Sequence, residues 1–125
     1  MSLTITATCH CGAVALTGEA PNGYADAARC NCSFCKRRQA ANIGVTSASL
    51  RITKGAENLG LYSFGTHTAQ HYFCKTCGIY THHQTRSNPL ISGVNLGCID
   101  ATHPLEHEPV PWRDGINHPS DRKKP

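Results

Sequence analysis

The chain has 125 residues with an ordinary content of apolar and charged side chains, which predicts one soluble domain over residues 1–125 with a modest core. No apolar run approaches the ~20 residues of a membrane span, and residues 1–6 lack the features of a signal peptide, so we expect reduced cysteines and a cytoplasmic location. The formal net charge of +4 lies partly in residues 121–125, an expected solvated tail, and is weak evidence for a polyanionic partner.

Taken in chain order, the pattern predicts a mainly β fold of antiparallel sheets with little helix. Residues 3–8 and 13–17 alternate apolar and small polar side chains, as half-buried strands do, and they flank a turn at residues 9–12. Further strands are expected at residues 24–29, 41–45, 50–53, 58–64, 71–74, 79–83 and 90–96. Only residues 33–39 favour a helix, with Ser33 suited to its N-cap. After Ala101 the chain becomes rich in Pro, His and Asp, which predicts an irregular covering segment.

Seven of the eight cysteines fall into three tight clusters, and their spacing is the strongest functional signal in the sequence. The clusters are Cys9-x-Cys11, Cys30-x-Cys32-x-x-Cys35 and Cys74-x-x-Cys77. Thiols one or two residues apart can converge on one metal ion, whereas a disulfide across so short a loop would be strained. The clusters therefore indicate zinc, with two ions per chain, because seven ligands divide into a closed set of four and an open set of three.

The pairs Cys9/Cys11 and Cys74/Cys77 are the candidates for a closed, structural zinc site. Each pair is followed directly by a glycine, which can adopt a positive φ and let backbone N–H groups point at the sulfurs. A redox role for the second pair is the alternative interpretation, but no thioredoxin-like βαβ pattern surrounds it.

The cluster of Cys30, Cys32 and Cys35 differs because no obvious fourth ligand adjoins it in the sequence. Three thiolates would leave one tetrahedral position for water, a substrate or a distant ligand, which is typical of catalytic zinc. The alternative is a second structural site that is closed by Cys98 or a histidine, while packing in the core is the other interpretation of Cys98. With zinc in both clusters, centres of −2 and −1 would reduce the formal charge from +4 to +1.

Four segments carry a resemblance to a known family. They are Cys9-x-Cys11-Gly12, Cys30-x-Cys32-Ser33-x-Cys35-Lys36-Arg37, Phe73-Cys74-x-x-Cys77-Gly78, and residues 93–100 with Trp112 after them. Their order and spacing resemble the glutathione-dependent formaldehyde-activating enzyme and centromere protein V family across nearly the whole chain. The resemblance implies a β-tent of twisted antiparallel sheets with zinc knuckles. It also implies a structural zinc on Cys9, Cys11, Cys74 and Cys77, and a catalytic zinc on Cys30, Cys32 and Cys35.

The activity that the resemblance implies is the joining of glutathione to formaldehyde, as in enzymes classed among carbon–sulfur lyases. Four basic residues, Arg29, Lys36, Arg37 and Arg38, are candidate contacts for the carboxylates of a thiol substrate, or they neutralise the thiolates or face solvent. His82 and His83 point to opposite faces of their expected strand, so at most one of them is expected to face the pocket. We take His82 as the candidate proton shuttle, with a hydrogen-bonded or surface histidine as the alternative.

One segment departs from the sequence pattern of the family, and the role of another has two interpretations. Many relatives carry a Ser-Pro type sequence where this chain has residues 79–83, which indicates a distinct branch. Residues 117–121, with His118, are either a loop over the site or a structural segment.

The expected function is a zinc-dependent carbon–sulfur lyase that acts on a small thiol adduct, in which glutathione or a similar thiol is joined to an aldehyde. The first alternative is a zinc-stabilised binding module for chromatin or nucleic acid. The near-neutral corrected charge and the scarcity of aromatic stacking residues disfavour it. The second alternative is a thiol or metal sensor. No membrane partner is expected.

Overall fold

The computed structural model describes residues 2–86 and 88–116, and it has the mainly β architecture that the sequence predicts. The strands within these two stretches are β1 (Leu3–Thr8), β2 (Ala15–Ala20), β3 (Arg29–Cys30), β4 (Asn42–Thr46), β5 (Arg51–Lys54), β6 (Leu59–Tyr62), β7 (Gln70–Cys74), β8 (Tyr80–Gln84), β9 (Ile91–Asn95) and β10 (Trp112–Arg113). The α-helix is α1 (Cys35–Arg38), and short 3-10 turns occupy Ser47–Ser49, Ala56–Asn58, Leu96–Cys98 and Pro104–His107. None of the helices in this part of the chain has the length and apolarity that crossing a bilayer requires.

The strands form three sheets. One has the order β1-β2-β5 and the largest has the order β4-β9-β8-β7-β6, and both are antiparallel throughout, as expected. In the third sheet β10 pairs with β3 in parallel, which the expectation of purely antiparallel sheets did not include. β1 and β2 form a hairpin, so the first cysteine pair lies at a hairpin tip, as predicted.

The core lies between the two larger sheets. Leu16, Ile43, Val45, Val94 and Leu96 are all at most 1% exposed. Burial of each such side chain contributes about 1.5–3 kcal/mol relative to leaving it in water. Along β4 the buried residues alternate with half-buried ones, so that one face of the large sheet packs on the core and the other is left for the site.

Two local predictions were wrong. Residues 24–26 form turns, because the backbone N–H groups of Gly23, Ala25 and Ala27 bond to carbonyls three residues back, and the predicted strand at residues 24–29 is reduced to the bridge at Ala28 and the start of β3 at Arg29. The helix begins at Cys35 rather than Ser33, and its N-cap, Phe34, makes no side-chain cap. The segment after residue 101 is largely irregular, as expected, apart from one 3-10 turn and β10.

Candidate metal sites and active-site cavity

Two turns bring Cys9, Cys11, Cys74 and Cys77 together. The four sulfur atoms lie within 4.8 Å of one another, with 3.8 Å between Cys9 and Cys11 and 3.7 Å between Cys11 and Cys74. A tetrahedral ion with metal–sulfur bonds of about 2.3 Å places its ligand sulfurs roughly 3.8 Å apart. This four-cysteine cluster therefore has the ligand set and spacing that a four-coordinate metal such as zinc requires.

Hydrogen-bond donors surround the sulfurs of the four-cysteine cluster. The backbone N–H of Val14 donates to Cys9 Sγ and the side-chain amide of Asn58 donates to Cys74 Sγ, both at 3.3 Å. Hydrogen bonds from backbone N–H groups lower the pKa of Cys77 to about 6. The glycine after each pair has a positive φ, 83° and 78°, as the sequence predicts. At Cys77 the local backbone thus favours the thiolate form that binds metal.

The second group, Cys30, Cys32 and Cys35, runs from the end of β3 to the start of α1. Its sulfurs also lie within 4.8 Å of one another, and within the described stretches no fourth histidine, cysteine or carboxylate joins them. The Cys35 backbone N–H donates to Cys32 Sγ at 3.3 Å. The hydrogen bond from the Cys35 thiol lowers the pKa of Cys30 to about 5, while the same bond raises that of Cys35. A Cβ on Gly115 would lie only 2.3 Å from Cys30 Sγ, so this position needs glycine.

Cys98 belongs to the core rather than to either cluster. Its side chain is buried among the residues of the main core, and its thiol donates to the carbonyl oxygen of Tyr80 at 3.5 Å. Burial raises the pKa of Cys98 to about 11. The core interpretation is confirmed, and Cys98 does not close the three-cysteine cluster in this structure.

A cavity of about 780 Å³ opens beside the three-cysteine cluster. It lies against the face of the large sheet that is turned away from the core, and residues 113–116 complete its wall. Charged and aromatic side chains line it together with the three cysteines, among them Asp26, Arg29, Phe64, His71, His83 and Arg113.

One row of residues crosses the floor of this cavity. His71 on β7 pairs with His83 on β8, which pairs with Gly93 on β9, which in turn pairs with Gly44 on β4. Directly paired residues share a face of a sheet, so the two histidines project into the cavity side by side. A Cβ on Gly93 would lie 2.4 Å from the His83 ring, so glycine makes room for that ring.

Arg38, at the end of α1, connects the cysteines to the histidines. Its guanidinium lies 3.6 Å from the Tyr80 ring centroid, 3.6 Å from Cys35 Sγ and 3.1 Å from His71 Nδ1. Burial and the Arg38 charge lower the pKa of His71 to about 4 and that of His83 to about 3. Both rings are therefore neutral near pH 7, beside a fixed cation.

The structure does not bring His82, the candidate proton shuttle, to this cavity; the β8 histidine that lines it is His83. The His82 ring stacks on Tyr72 at 4.7 Å and faces a separate cavity of about 310 Å³. The physical reason is the pleat of β8, which turns neighbouring side chains to opposite faces, as expected. Pairing with His71 and Gly93 decides which of the two faces the cysteines, and it selects His83.

The predicted cationic contacts lie in different places in the structure, and only Arg29 among them lines the cavity. Arg29 lines the cavity, but it forms a salt bridge with Glu108 at 3.0 Å and donates to the carbonyl of Gln39 at 2.9 Å. Lys36 and Arg37 are exposed and do not line the cavity, because α1 directs them to solvent.

Arg38, which the sequence also offered as a cationic contact, lies beside Cys35. His71 and Arg113 line the cavity and were not singled out from the sequence. His71 has no local signal in the sequence, because its place in the cavity depends on the pairing of β7 with β8. The candidate loop at residues 117–121, with His118, lies outside the described residues.

Comparison with known proteins agrees with this geometry. A crystal structure of a protein from Rhodobacter sphaeroides is similar to this chain, with a TM-score of 0.84 and 55% sequence identity over 86% of this chain and 99% of that one. Residues 4–113, which include every clustered cysteine and most of the cavity wall, match a family described as glutathione-dependent formaldehyde-activating enzyme. With its two cysteine clusters and its β-sheet framework, the chain belongs to the glutathione-dependent formaldehyde-activating enzyme family.

Proposed function

We propose that the protein is a zinc-dependent carbon–sulfur lyase-type enzyme that acts on a small thiol adduct, formed from glutathione or a similar thiol and an aldehyde. The observation that carries this proposal is the three-cysteine cluster on the wall of a large cavity, with no fourth protein ligand in the described residues. Membership in a family named for an enzyme supports it. The four-cysteine cluster is proposed to hold a second, structural zinc.

The donor atoms fit these roles. Clustered thiolates select zinc over the hard cations that prefer oxygen ligands. A zinc ion held by Cys30, Cys32 and Cys35 would supply Lewis acidity and lower the pKa of a substrate thiol. Four thiols close a structural site, whereas three leave a position for substrate.

The cavity provides the remaining contacts. Its volume of about 780 Å³ lies within the range of roughly 300–1,000 Å³ that holds ligands of small-peptide size. Arg29 and Arg113 place positive charge along one part of the wall; Arg113 donates to the backbone carbonyl of Asp26 at 3.4 Å, and Asp26 also lines the cavity. These groups suit a thiol that carries carboxylates and an ammonium group. We propose Arg29 and Arg113, rather than Lys36 and Arg37, as contacts for the carboxylates.

The test combines metal content, folding and turnover. Protein purified without chelator should carry about two zinc ions per chain, and replacement of Cys30, Cys32 and Cys35 by alanine should leave about one with the fold retained. Turnover of S-hydroxymethylglutathione, followed by NMR in both directions, should be lost in that variant.

Three results would contradict the proposal. Zinc-loaded wild type without turnover of any thiol–aldehyde adduct would favour a binding module or a sensor. Unfolding of the triple variant would make the second zinc structural. A single zinc in wild type would remove the division into four and three ligands.

A further inference from the structure

The hydrogen bonds around His71 fix the position of its proton. The guanidinium of Arg38 has N–H donors and no acceptor, and its Nη1 lies 3.1 Å from His71 Nδ1. Nδ1 must therefore accept this bond, and the neutral ring carries its hydrogen on Nε2. The rings of Tyr80 and Phe34 lie 3.6 Å and 4.6 Å from the guanidinium carbon and hold Arg38 in place.

The hydrogen bonds around His83 fix the opposite tautomer. The amide nitrogen of Asn42 donates to the carbonyl of Ala40 at 3.3 Å, which turns its Oδ1 toward Tyr80. Tyr80 donates its single O–H to that oxygen at 2.6 Å. The phenolic oxygen can then only accept from His83 Nδ1, 2.5 Å away. His83 Nε2 consequently keeps a free lone pair.

The two remaining ring nitrogens open into the cavity. Both histidines line it, and their rings stack at 5.1 Å with an angle of 22°. Neither Nε2 has a hydrogen-bond partner within residues 2–86 and 88–116. Neither is fully buried, since Arg38 Nε is the buried side-chain nitrogen that lacks a partner in this part of the chain. A donor on His71 and an acceptor on His83 therefore lie side by side within the cavity that holds the cysteines.

We propose that His71 and His83 bind the aldehyde-derived oxygen of the adduct as a donor–acceptor pair. His71 Nε2–H donates to this oxygen, and His83 Nε2 accepts the hydrogen of the adduct hydroxyl. The role rests on the proposed lyase function, which it deepens by assigning catalytic residues outside the cysteines. It also selects substrates: the adduct must carry a hydroxyl on the carbon that bears sulfur, so simple thioethers are excluded.

The chemical step balances without another reactant. The hydroxyl proton passes to His83 Nε2, and the O–H electron pair becomes the second bond of the carbonyl group. The carbon–sulfur bond breaks and its electron pair goes to sulfur. The proton on His83 then passes to sulfur, so that the adduct yields one thiol and one aldehyde. The reverse sequence joins them.

The surroundings of the pair suit this step. Both rings are neutral near pH 7 because burial and Arg38 disfavour a second proton. A proton received by His83 is therefore returned readily to a thiolate. The positive charge of Arg38 also polarises the His71 ring through Nδ1, which strengthens the Nε2–H bond to an oxygen that gains negative charge.

Asparagine and glutamine variants separate the two ends of each ring. Asparagine carries its amide near the Nδ1 position of histidine, and glutamine carries its amide near the Nε2 position. His83→Asn keeps the bond to Tyr80 and loses the cavity acceptor, so kcat for S-hydroxymethylglutathione should fall about 100-fold with little change in KM. His83→Gln, the matched control, keeps an acceptor, and its kcat should be about tenfold higher than that of His83→Asn. His71→Asn should lower kcat about 100-fold while it preserves the acceptor for Arg38.

Nitrogen-15 NMR of the imidazoles reports the tautomers without any turnover. The expected result is Nε2–H on His71 and Nδ1–H on His83 in the wild type at pH 7. The opposite tautomer on either ring would overturn the proposal, as would wild-type kcat in both asparagine variants. Wild type that turns over no thiol–aldehyde adduct would instead refute the lyase function, and this role would fall with it whatever the tautomers.

Discussion

The two cysteine clusters offer a metal the same ligand atoms in very different surroundings. The four-cysteine cluster lies between two turns; Cys9 and Cys74 are buried and pack with Val14, Leu59 and other apolar residues, while Cys11 is exposed. The three-cysteine cluster lies on a loop beside a cavity, next to Arg38 and in the same pocket as His71 and His83. One cluster is completed by a fourth cysteine and anchored by two buried ones, and the other faces a space that a ligand can enter.

The difference lies in what each cluster connects. The contact between Cys11 and Cys74 spans 63 residues, so a metal there would hold two sheets together. Cys30, Cys32 and Cys35 span only six residues, so a metal there would close a short loop. Because the entropy cost of closing a loop rises with its length, the first metal constrains the unfolded chain far more than the second. The four-cysteine cluster should therefore control folding, and the three-cysteine cluster should control chemistry.

Loss of a ligand in the four-cysteine cluster should have the largest effect. Apparent zinc affinities in small folding domains are about 10–16 kcal/mol, and whole domains are stable by about 5–15 kcal/mol. Cys74→Ser should therefore abolish cooperative thermal unfolding, measured by circular dichroism, and reduce zinc to below about one per chain. A variant that still melts cooperatively near the wild-type temperature would show that this cluster does not hold the fold together.

Limited chelation should separate the two clusters in the wild type. The two sites differ in how open their metal position is, because one has a fourth thiol and two buried cysteines while the other has three thiols and faces the cavity. A chromogenic chelator should remove about one zinc per chain first, together with all turnover, before the circular dichroism spectrum changes. Release of both ions in one phase, with loss of structure, would make the clusters equivalent.

Gly93→Ala should disturb the cavity without touching either cluster. Its Cβ would lie 2.4 Å from the His83 ring, so the ring must turn away from its place beside His71. Overpacking of this kind costs about 1–3 kcal/mol of the free energy of unfolding, and we expect kcat to fall about tenfold. Gly97→Ala, whose Cβ would lie 3.3 Å from Asn95 Oδ1, is the control and should keep wild-type kcat. Equal kcat in both variants would contradict a role for the His83 position.

The clusters could be predicted from the sequence because their ligands are local. The spacing of the cysteines within Cys30–Cys35, and the glycine that follows each of the two cysteine pairs, are properties of a few consecutive residues. The structure brings the sulfurs together as those motifs indicate. Most strands were also predictable, since alternation in β1 or β4 is visible in five or six residues.

The cavity could not be predicted because it depends on long-range pairing. Alternation places His82 and His83 on opposite faces, but only the pairing of β8 with β7 and β9 shows which face meets the cysteines. The turns at residues 24–26 were not predicted because they depend on backbone hydrogen bonds, and on the Asp26 carboxylate that accepts from the Gly44 N–H of a distant strand. Such contacts leave no local pattern.

Cys98→Ala should have a small effect and sharpen the count of ligands. Its thiol packs in the core and bonds to the carbonyl of Tyr80, so its removal should cost about 1–2 kcal/mol of the free energy of unfolding. Zinc content should stay near two per chain and kcat should stay at the wild-type value. Loss of one zinc would mean that Cys98 moves to close the three-cysteine cluster when metal binds.

His82→Gln should have the smallest effect on turnover, and it compares directly with His83→Asn one residue away. The His82 ring faces the smaller cavity, so kcat should stay within about twofold of wild type. The effect expected of His82→Gln is a change in how the stability of the fold depends on pH. Burial lowers the pKa of His82 to about 4, whereas the unfolded chain titrates near 6.5.

Between these two pH values His82 binds a proton in the unfolded state but stays neutral in the folded state, so the free energy of unfolding falls as the pH falls from about 6.5 toward 4. His82→Gln removes this proton uptake and should lose less stability between pH 7 and pH 5 in urea titrations. Metal release at low pH is common to both proteins and cancels in the comparison. A variant with the wild-type pH dependence would place His82 in contact with solvent, and a large loss of kcat would return it to the cavity in place of His83.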